Sequence, residues 1–248
     1  MSAETPEEIE GLRRAGRAVR ATIEAVRAAA APGVTTRQLD AVARRTFAEH
    51  GARSGPILTY GYPGAICLSV DHEIVHGVPG DRPLRAGSVL SIDVAAEVGG
   101  YHADACTTIA VGDVPVATRK LLGAGRAALR AGMDAAQPGA TLRDVGRAVE
   151  RAAERRGFHV ARELTGHEIG RAMHEDFSVF NWPNPAREAD RRLTDGLVLT
   201  IEPMIAAARP RLRVLSDGWT VVDRGGALST HEEHTIMVRP GGPLVLTA

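Results

Sequence analysis

Val89-Leu90-Ser91-Ile92-Asp93-Val94 is echoed in the second half of the chain by Val198-Leu199-Thr200-Ile201-Glu202-Pro203. Each is a strand-like apolar run that ends in a carboxylate. Upstream lie two further echoes: Ala15-Gly16-Arg17-Ala18 with Ala124-Gly125-Arg126-Ala127, and Pro32-Gly33-Val34-Thr35 with Pro138-Gly139-Ala140-Thr141. A helix-helix-strand unit therefore occurs twice. A duplication related by a pseudo-twofold axis brings equivalent strands face to face, which aims Asp93 and Glu202 at a common centre.

The intervening sequence fits this plan. Thr5-Pro6-Glu7-Glu8 is a helix start, with Thr as cap, Pro at the first position and Glu three after the cap. Ile9, Leu12, Gly16, Val19, Ile23 and Val26 then recur at helical spacing until Pro32-Gly33. Thr35 or Thr36 caps a second helix to about His50, and Ala117–Ala136 with Leu142–Arg156 repeat the pair. Strands are expected at Ala65–Val70, Leu197–Ala206, Trp219–Asp223, Glu232–Val238 and Leu244–Thr247, with a hairpin over Ser88–Val111 around Gly99-Gly100. Clusters of Pro, Gly and Asn mark Pro56–Gly64 and Asn181–Pro185 as loops. With no Ser/Gly linker or charge run, the expectation is one α+β domain over 1–248. Its halves fall at roughly 1–112 and 113–248, with helices on one face of a curved antiparallel sheet.

Lys plus Arg and Asp plus Glu number 30 each in 248 residues, so the formal charge is zero and no basic excess marks a nucleic-acid-binding surface. Two cysteines, Cys67 and Cys106, make no disulfide framework. No apolar run approaches the roughly 20 residues of a membrane span, and the acidic start lacks the pattern of a secretory signal. The expectation is a soluble cytoplasmic protein.

The hairpin carries the first chemistry. With Gly99-Gly100 as a two-residue turn, Asp93 faces Cys106 and Asp104 faces Ala95. Both carboxylates then project from one side as diagonal neighbours, with Cα atoms about 7–8 Å apart. Two buried acids so placed repel unless a cation lies between them; the alternative is a solvated strand face. Strand alternation separates Glu233 from Glu232, so only one of those two belongs to a common site. His167-Glu168 fails the His-Glu-x-x-His pattern because Arg171 stands at the fourth position, and a single histidine in such a stretch is more often structural than a ligand. Four carboxylates and one imidazole form a hard, oxygen-rich set suited to Mn, Fe or Co. Two ions balance the charge of four acids better than one.

Tyr60-Gly61-Tyr62-Pro63 with Cys67, His72-Glu73-Ile74-Val75-His76-Gly77-Val78-Pro79, Ser91-Ile92-Asp93-Val94, Gly166-His167-Glu168-Ile169-Gly170 with His174-Glu175, Thr200-Ile201-Glu202-Pro203-Met204 and Glu233-His234-Thr235 together resemble the type I methionine aminopeptidases. The resemblance runs in order over nearly the whole chain and implies the pita-bread fold, a pseudo-twofold duplicated α/β unit. It implies removal of the N-terminal methionine from nascent proteins and peptides, by attack of a bridging water or hydroxide in a dinuclear site. By motif position Asp93, Asp104, His167, Glu202 and Glu233 would be the ligands of two divalent ions (Co, Mn or Fe), with Asp104 and Glu233 bridging. Glu202 would also shuttle the proton of the attacking water, His174 would bond the scissile carbonyl, and His76 would assist the departing amine.

Tyr62, Cys67 and Trp219 match the family's methionine pocket. Pro56 and Thr59 stand where Cys and an aromatic are usual, Met173 replaces the usual Phe before His174, and Ala105-Cys106-Thr107 stands where Thr-Ser is usual. The short stretch between His174 and Glu202 leaves no room for the helical insertion of type II enzymes. The implied partner is an N-terminal Met peptide or nascent chain, allowing proximity to the ribosome, with a monomer expected and neither membrane nor specific nucleic acid. Two other readings share the fold: proline-cleaving aminopeptidase P and prolidase, which normally add an N-terminal domain, and pita-bread proteins that have lost their metals and act as binding modules.

Overall fold

The computed structural model describes residues 1–248, and its geometry repeats where the sequence repeats. Helix α1 (Pro6–Ala29) opens on a capping box of Thr5 and Glu8, and α2 (Thr36–Glu49) on the same device built from Thr35 and Gln38. Helix α3 is short (Gly55–Tyr60). Helix α4 (Val116–Ala135) follows Pro115, and α5 (Leu142–Glu154) opens on a third box, Thr141 with Asp144. In each box the threonine hydroxyl accepts an N–H that the helix start leaves free, while the N3 side chain covers another.

The Pro-Gly turns show the duplication at the level of single bonds. Gly33 N–H donates to Leu84 O and Leu84 N–H to Val34 O, both at 2.8 Å; Gly139 to Leu193 and Leu193 to Ala140 repeat them at 2.8 Å. Gly33 and Gly139 have φ of 90° and 89°, where a side chain would be strained. The Ala-Gly-Arg-Ala echo marks where each long helix lies closest to its neighbours. A methyl at Gly16 would overlap the Leu246 carbonyl, and one at Gly125 would crowd Thr230.

A seven-stranded sheet crosses both halves. Its order is Arg53–Ser54, Val89–Val98, Tyr101–Ala110, Glu233–Met237 and Leu244–Val245, with Cys67–Val70 also on Val89–Val98 and Val198–Ile201 on Glu233–Met237. Every pairing is antiparallel. One apolar core, from Ala15 to Val111, lies under α1 and α2; a second, from Leu121 to Val238, lies under α4 and α5.

Three expectations need correction. Pro56–Gly64 is not all loop, because Ser54 caps Ile57 N–H at 3.3 Å, Pro56 fits the first turn and Gly61 (φ 68°) ends α3. The punctuating residues here are helix start and stop signals. The run Leu197–Ala206 is two strands, since Glu202-Pro203 interrupts it; Val198–Ile201 stays in the large sheet and Met204–Ala206 pairs with Ser229–His231 and His159–Val160. Leu212–Val214, Val221–Asp223 and Glu73–Val75 form a three-stranded sheet, and Thr165–His167 with Ser178–Phe180 a two-stranded one, so the expected single sheet is supplemented by smaller ones.

Candidate metal centre

The hairpin register is the expected one, with Asp93 opposite Cys106 and Asp104 opposite Ala95. Adjacent strands extend the row: Cys67 lies opposite Asp93, and Cys106 opposite Glu233. Directly opposed residues share a sheet face, so Cys67, Asp93, Cys106 and Glu233 form one line across four strands. Asp104 lies two residues before Cys106 on that same face. Thr235 fixes its backbone twice, accepting Asp104 N–H at 2.8 Å and donating to Asp104 O at 2.7 Å. Glu232 takes the opposite side, where Thr107 donates to it at 3.2 Å and Arg126 lies 3.9 Å away.

Glu202 enters from the strand break. Thr200 Oγ1 donates to its Oε1 at 2.8 Å, and buried Asn181 donates to its backbone carbonyl at 3.1 Å. His167 Nε2 lies 3.5 Å from Glu202 Oε1 and 4.0 Å from Asp104 Oδ2. Its Nδ1 meets the Glu168 carbonyl at 3.1 Å. A carbonyl only accepts, so Nδ1 carries the proton and the Nε2 lone pair is left facing the carboxylates, the tautomer a metal ligand needs. Gly166 is required beside it, because a methyl there would approach the Thr200 carbonyl to 2.8 Å.

Asp93, Asp104, His167, Glu202 and Glu233 all line one cavity of about 410 Å³, and no Lys or Arg does. Burial pushes the carboxyl groups of Asp104, Glu202 and Glu233 well above their ordinary range, and neighbouring acids add to it. Burial likewise raises Asp93 to about 7. His167 and His231 are pushed down to about 3 by burial, so both rings are neutral. Asp104 Oδ1 and Glu233 Oε1 are buried with no hydrogen-bond partner. Buried charges and lone pairs of this kind are normally satisfied. Asp104, His167 and Glu233 present ligand atoms within 4.8 Å of one another, as do Glu202, His231 and Glu233. The donor chemistry and the unsatisfied oxygens together fit divalent cations.

His76 and His174 sit at the mouth of the cavity. His76 has φ of 58°, a left-handed conformation that costs a non-glycine residue on the order of 1–3 kcal/mol and clusters at functional sites. The loop bearing His174 is tied at both ends by acids. Glu175 accepts Arg171 N–H at 2.7 Å, Glu168 accepts Asp176 N–H at 3.2 Å, and both carboxylates hold the Met1 ammonium. The His174 ring lies against His167, tilted by 48° with centroids 4.0 Å apart, and Tyr60 Oη meets its Nδ1 at 2.6 Å.

Tyr62 and Trp219 form one wall, edge to face at 5.2 Å, and Cys67 and Met173 line the cavity with them. Thr59 does not: it is exposed and outside the cavity wall. Because the segment is helical, Pro56 and Tyr60, four residues apart, share the inward face and Thr59 is turned away. Sequence reasoning missed Tyr60, Met204 and His231 as lining residues. Helical spacing from Pro56 points to Tyr60, and strand parity with Glu233 points to His231.

A model of metallopeptidase family M24 matches residues 10–240. Methionine aminopeptidase 1 of Bacillus subtilis is 38% identical over 243 residues, covering 98% of this chain and 97% of that protein. The methionine aminopeptidase of Clostridium perfringens is 37% identical over 240 residues, covering 97% and 96%. Among solved structures, the methionine aminopeptidase of Thermotoga maritima superposes with a TM-score of 0.95 at 33% identity, over 100% of this chain and 99% of its own.

Proposed function

The chain belongs to metallopeptidase family M24 and, within it, to the methionine aminopeptidases, and from that premise we propose that it removes N-terminal methionine through a centre of two divalent ions. The observation that carries the reading is the cluster of buried carboxylates with no protein cation beside it. Asp93, Asp104, His167, Glu202 and Glu233 would hold the ions, with Asp104 and Glu233 shared and Co, Mn or Fe as candidates. When bound, such ions supply Lewis-acid polarisation of the scissile carbonyl and a water acidic enough to be a nucleophile near neutral pH.

The residues around them divide the remaining work. Glu202 accepts the water proton and passes it to the leaving amine; Thr200 and Asn181 hold it in place for both transfers. With the Tyr60 hydroxyl as donor to His174 Nδ1, 2.6 Å away, the Nε2 proton is left available to the scissile carbonyl oxygen. His76 contacts the backbone next to the scissile bond and assists the amine. Tyr62, Cys67, Met173 and Trp219 receive the methionine side chain, whose thioether gains from the aromatic faces.

The substrate is then an N-terminal Met peptide or a nascent chain near the ribosome. Residues 1–248 act as one catalytic domain, a reading that the shared sheet supports, and a cytoplasmic monomer is the simplest working form. No helix is long and apolar enough to cross a membrane. Release of methionine from Met-Ala-Ser by the metal-loaded enzyme, and its loss on chelation, is the direct test. Hydrolysis of proline-containing dipeptides with Met-Ala-Ser untouched would replace this reading.

A further inference from the structure

His231 is a buried side chain that the five-ligand reading leaves without a role. It is 2% exposed, and neither Nδ1 nor Nε2 has a hydrogen-bond partner. Its backbone is fully engaged: N–H donates to Thr108 Oγ1 at 2.8 Å, and its carbonyl accepts from the same hydroxyl at 2.8 Å. The strand thus fixes where the ring stands while leaving both nitrogens unsatisfied, which is costly for a buried polar group.

The ring faces the cavity. Its Nε2 lies 3.7 Å from Glu202 Oε2 and 3.8 Å from Glu233 Oε2. Metal–ligand bonds of about 2.0–2.2 Å place two donors of one ion roughly 3–4 Å apart, so these are separations of a coordination set. Glu202 stands between two imidazoles, with His167 on Oε1 at 3.5 Å and His231 on Oε2.

We propose that His231 Nε2 is a sixth protein ligand of the centre, binding one ion together with Glu202 and Glu233. This rests on the reading above that the carboxylate cluster holds divalent ions. A second imidazole also shifts the donor set toward nitrogen, which favours Fe(II) and Co(II) over Mn(II) relative to a one-histidine centre.

The test uses Co(II) and Mn(II) titrations of the full chain, wild type, His231→Gln and His231→Ala, followed by calorimetry and the visible Co(II) spectrum. Thermal unfolding of the metal-free proteins checks that each variant folds. The expected result is a Co(II) affinity lowered at least about 10–100-fold at one site, a changed Co(II) spectrum and a smaller loss for Mn(II). X-ray absorption of the Co(II)-loaded wild type should count two imidazoles per pair of ions, a readout that needs no variant. A count of one, or variants with wild-type affinity and spectrum, would overturn the assignment while leaving the two-ion reading intact. A wild type that binds no Co(II) would instead remove the two-ion reading, and this assignment with it.

Discussion

Asp104 and Glu233 occupy equivalent positions on the two strands that meet at the middle of the sheet. Those strands pair at Ala105 with His234 and at Cys106 with Glu233. Exchanging them about the Ala105–His234 pair carries Asp104 onto Glu233 and Cys106 onto Thr235. The duplication therefore delivers one acid from each half to the same face of the sheet, one on either side of its axis. Asp93, on the outer neighbour of one strand, and Glu202, just past the outer neighbour of the other, add a second carboxylate from each repeat, although the exchange itself carries Asp93 onto Thr200, two residues before Glu202.

Asp104→Asn and Glu233→Gln should each lower kcat/KM for Met-Ala-Ser by several orders of magnitude, on the order of 10³ or more, and reduce bound metal. The same variants, metal-free, should unfold at a higher temperature than metal-free wild type. Each removes one of a set of buried, mutually repelling acids. Metal analysis and calorimetry under chelator check both. Full activity in chelated wild type would defeat the metal mechanism.

The metal-free protein should lose stability as pH rises above about 6.5. In the unfolded chain, carboxyls titrate near 4 and histidines near 6.5. Asp93 at about 7, and Asp104, Glu202 and Glu233 well above their ordinary range, bind more protons folded than unfolded, so the stability they give below pH 4 is lost as pH rises through their folded values. His167 and His231, depressed to about 3, act oppositely between pH 3 and 6.5 and no longer matter above it. Above 6.5 the carboxyls act, joined at about pH 8.5 by the buried Cys67 and Cys106 thiols, which burial raises and which therefore act in the same direction. The melting temperature should therefore fall from pH 6.5 to 9 under chelator, and the fall should be offset by divalent metal, which competes with protons for the same oxygens. A flat chelated profile would mean that water relaxes the site far more than its burial suggests.

The helix caps and the hairpin register were legible because each is set locally: Thr5, Thr35 and Thr141 cap by side-chain chemistry, and Gly99-Gly100 fixes a parity that no bulge disturbs. Asp93 and Asp104 could be paired from that parity alone. His167 could not be placed from its own neighbourhood, since its partners Asp104 and Glu202 lie on other strands. Thr59 stands at a pocket position of the family by motif alone, and the helix over Gly55–Tyr60 turns it outward and puts Tyr60 on the cavity wall in its place. His231 was overlooked although it shares the parity of Glu233, because an isolated histidine carries no signal until its buried nitrogens are seen without partners.

Tyr60→Phe isolates the contact between Tyr60 Oη and His174 Nδ1 at 2.6 Å. Burial raises the phenol pKa, so the hydroxyl stays neutral and available as a donor. One hydrogen bond of this kind is worth about 0.5–1.5 kcal/mol, which predicts kcat lowered roughly 3–10-fold. KM and melting temperature should change little, because the ring is retained. An unchanged kcat would show that His174 keeps its tautomer and orientation without this partner, leaving the tilted contact with His167 to hold it.

Met173→Phe probes the proposed methionine pocket. Met173 is buried and lines the cavity, and its sulfur lies 3.2 Å from where a Cβ on Gly55 would stand. Its side chain is flexible, so the wall it forms adapts to a ligand rather than matching one shape. An aromatic ring can bury roughly 150–250 Å² and would present a fixed face to the cavity that Tyr62 and Trp219 also line. KM for Met-Ala-Ser should fall and preference for methionine over leucine should sharpen, with kcat changed less because the metal ligands and His174 are untouched. Steady-state kinetics on Met-Ala-Ser and Leu-Ala-Ser decide it. Unchanged KM and selectivity would mean that residue 173 shapes the wall without touching the substrate, and that Tyr62 and Trp219 alone set the pocket.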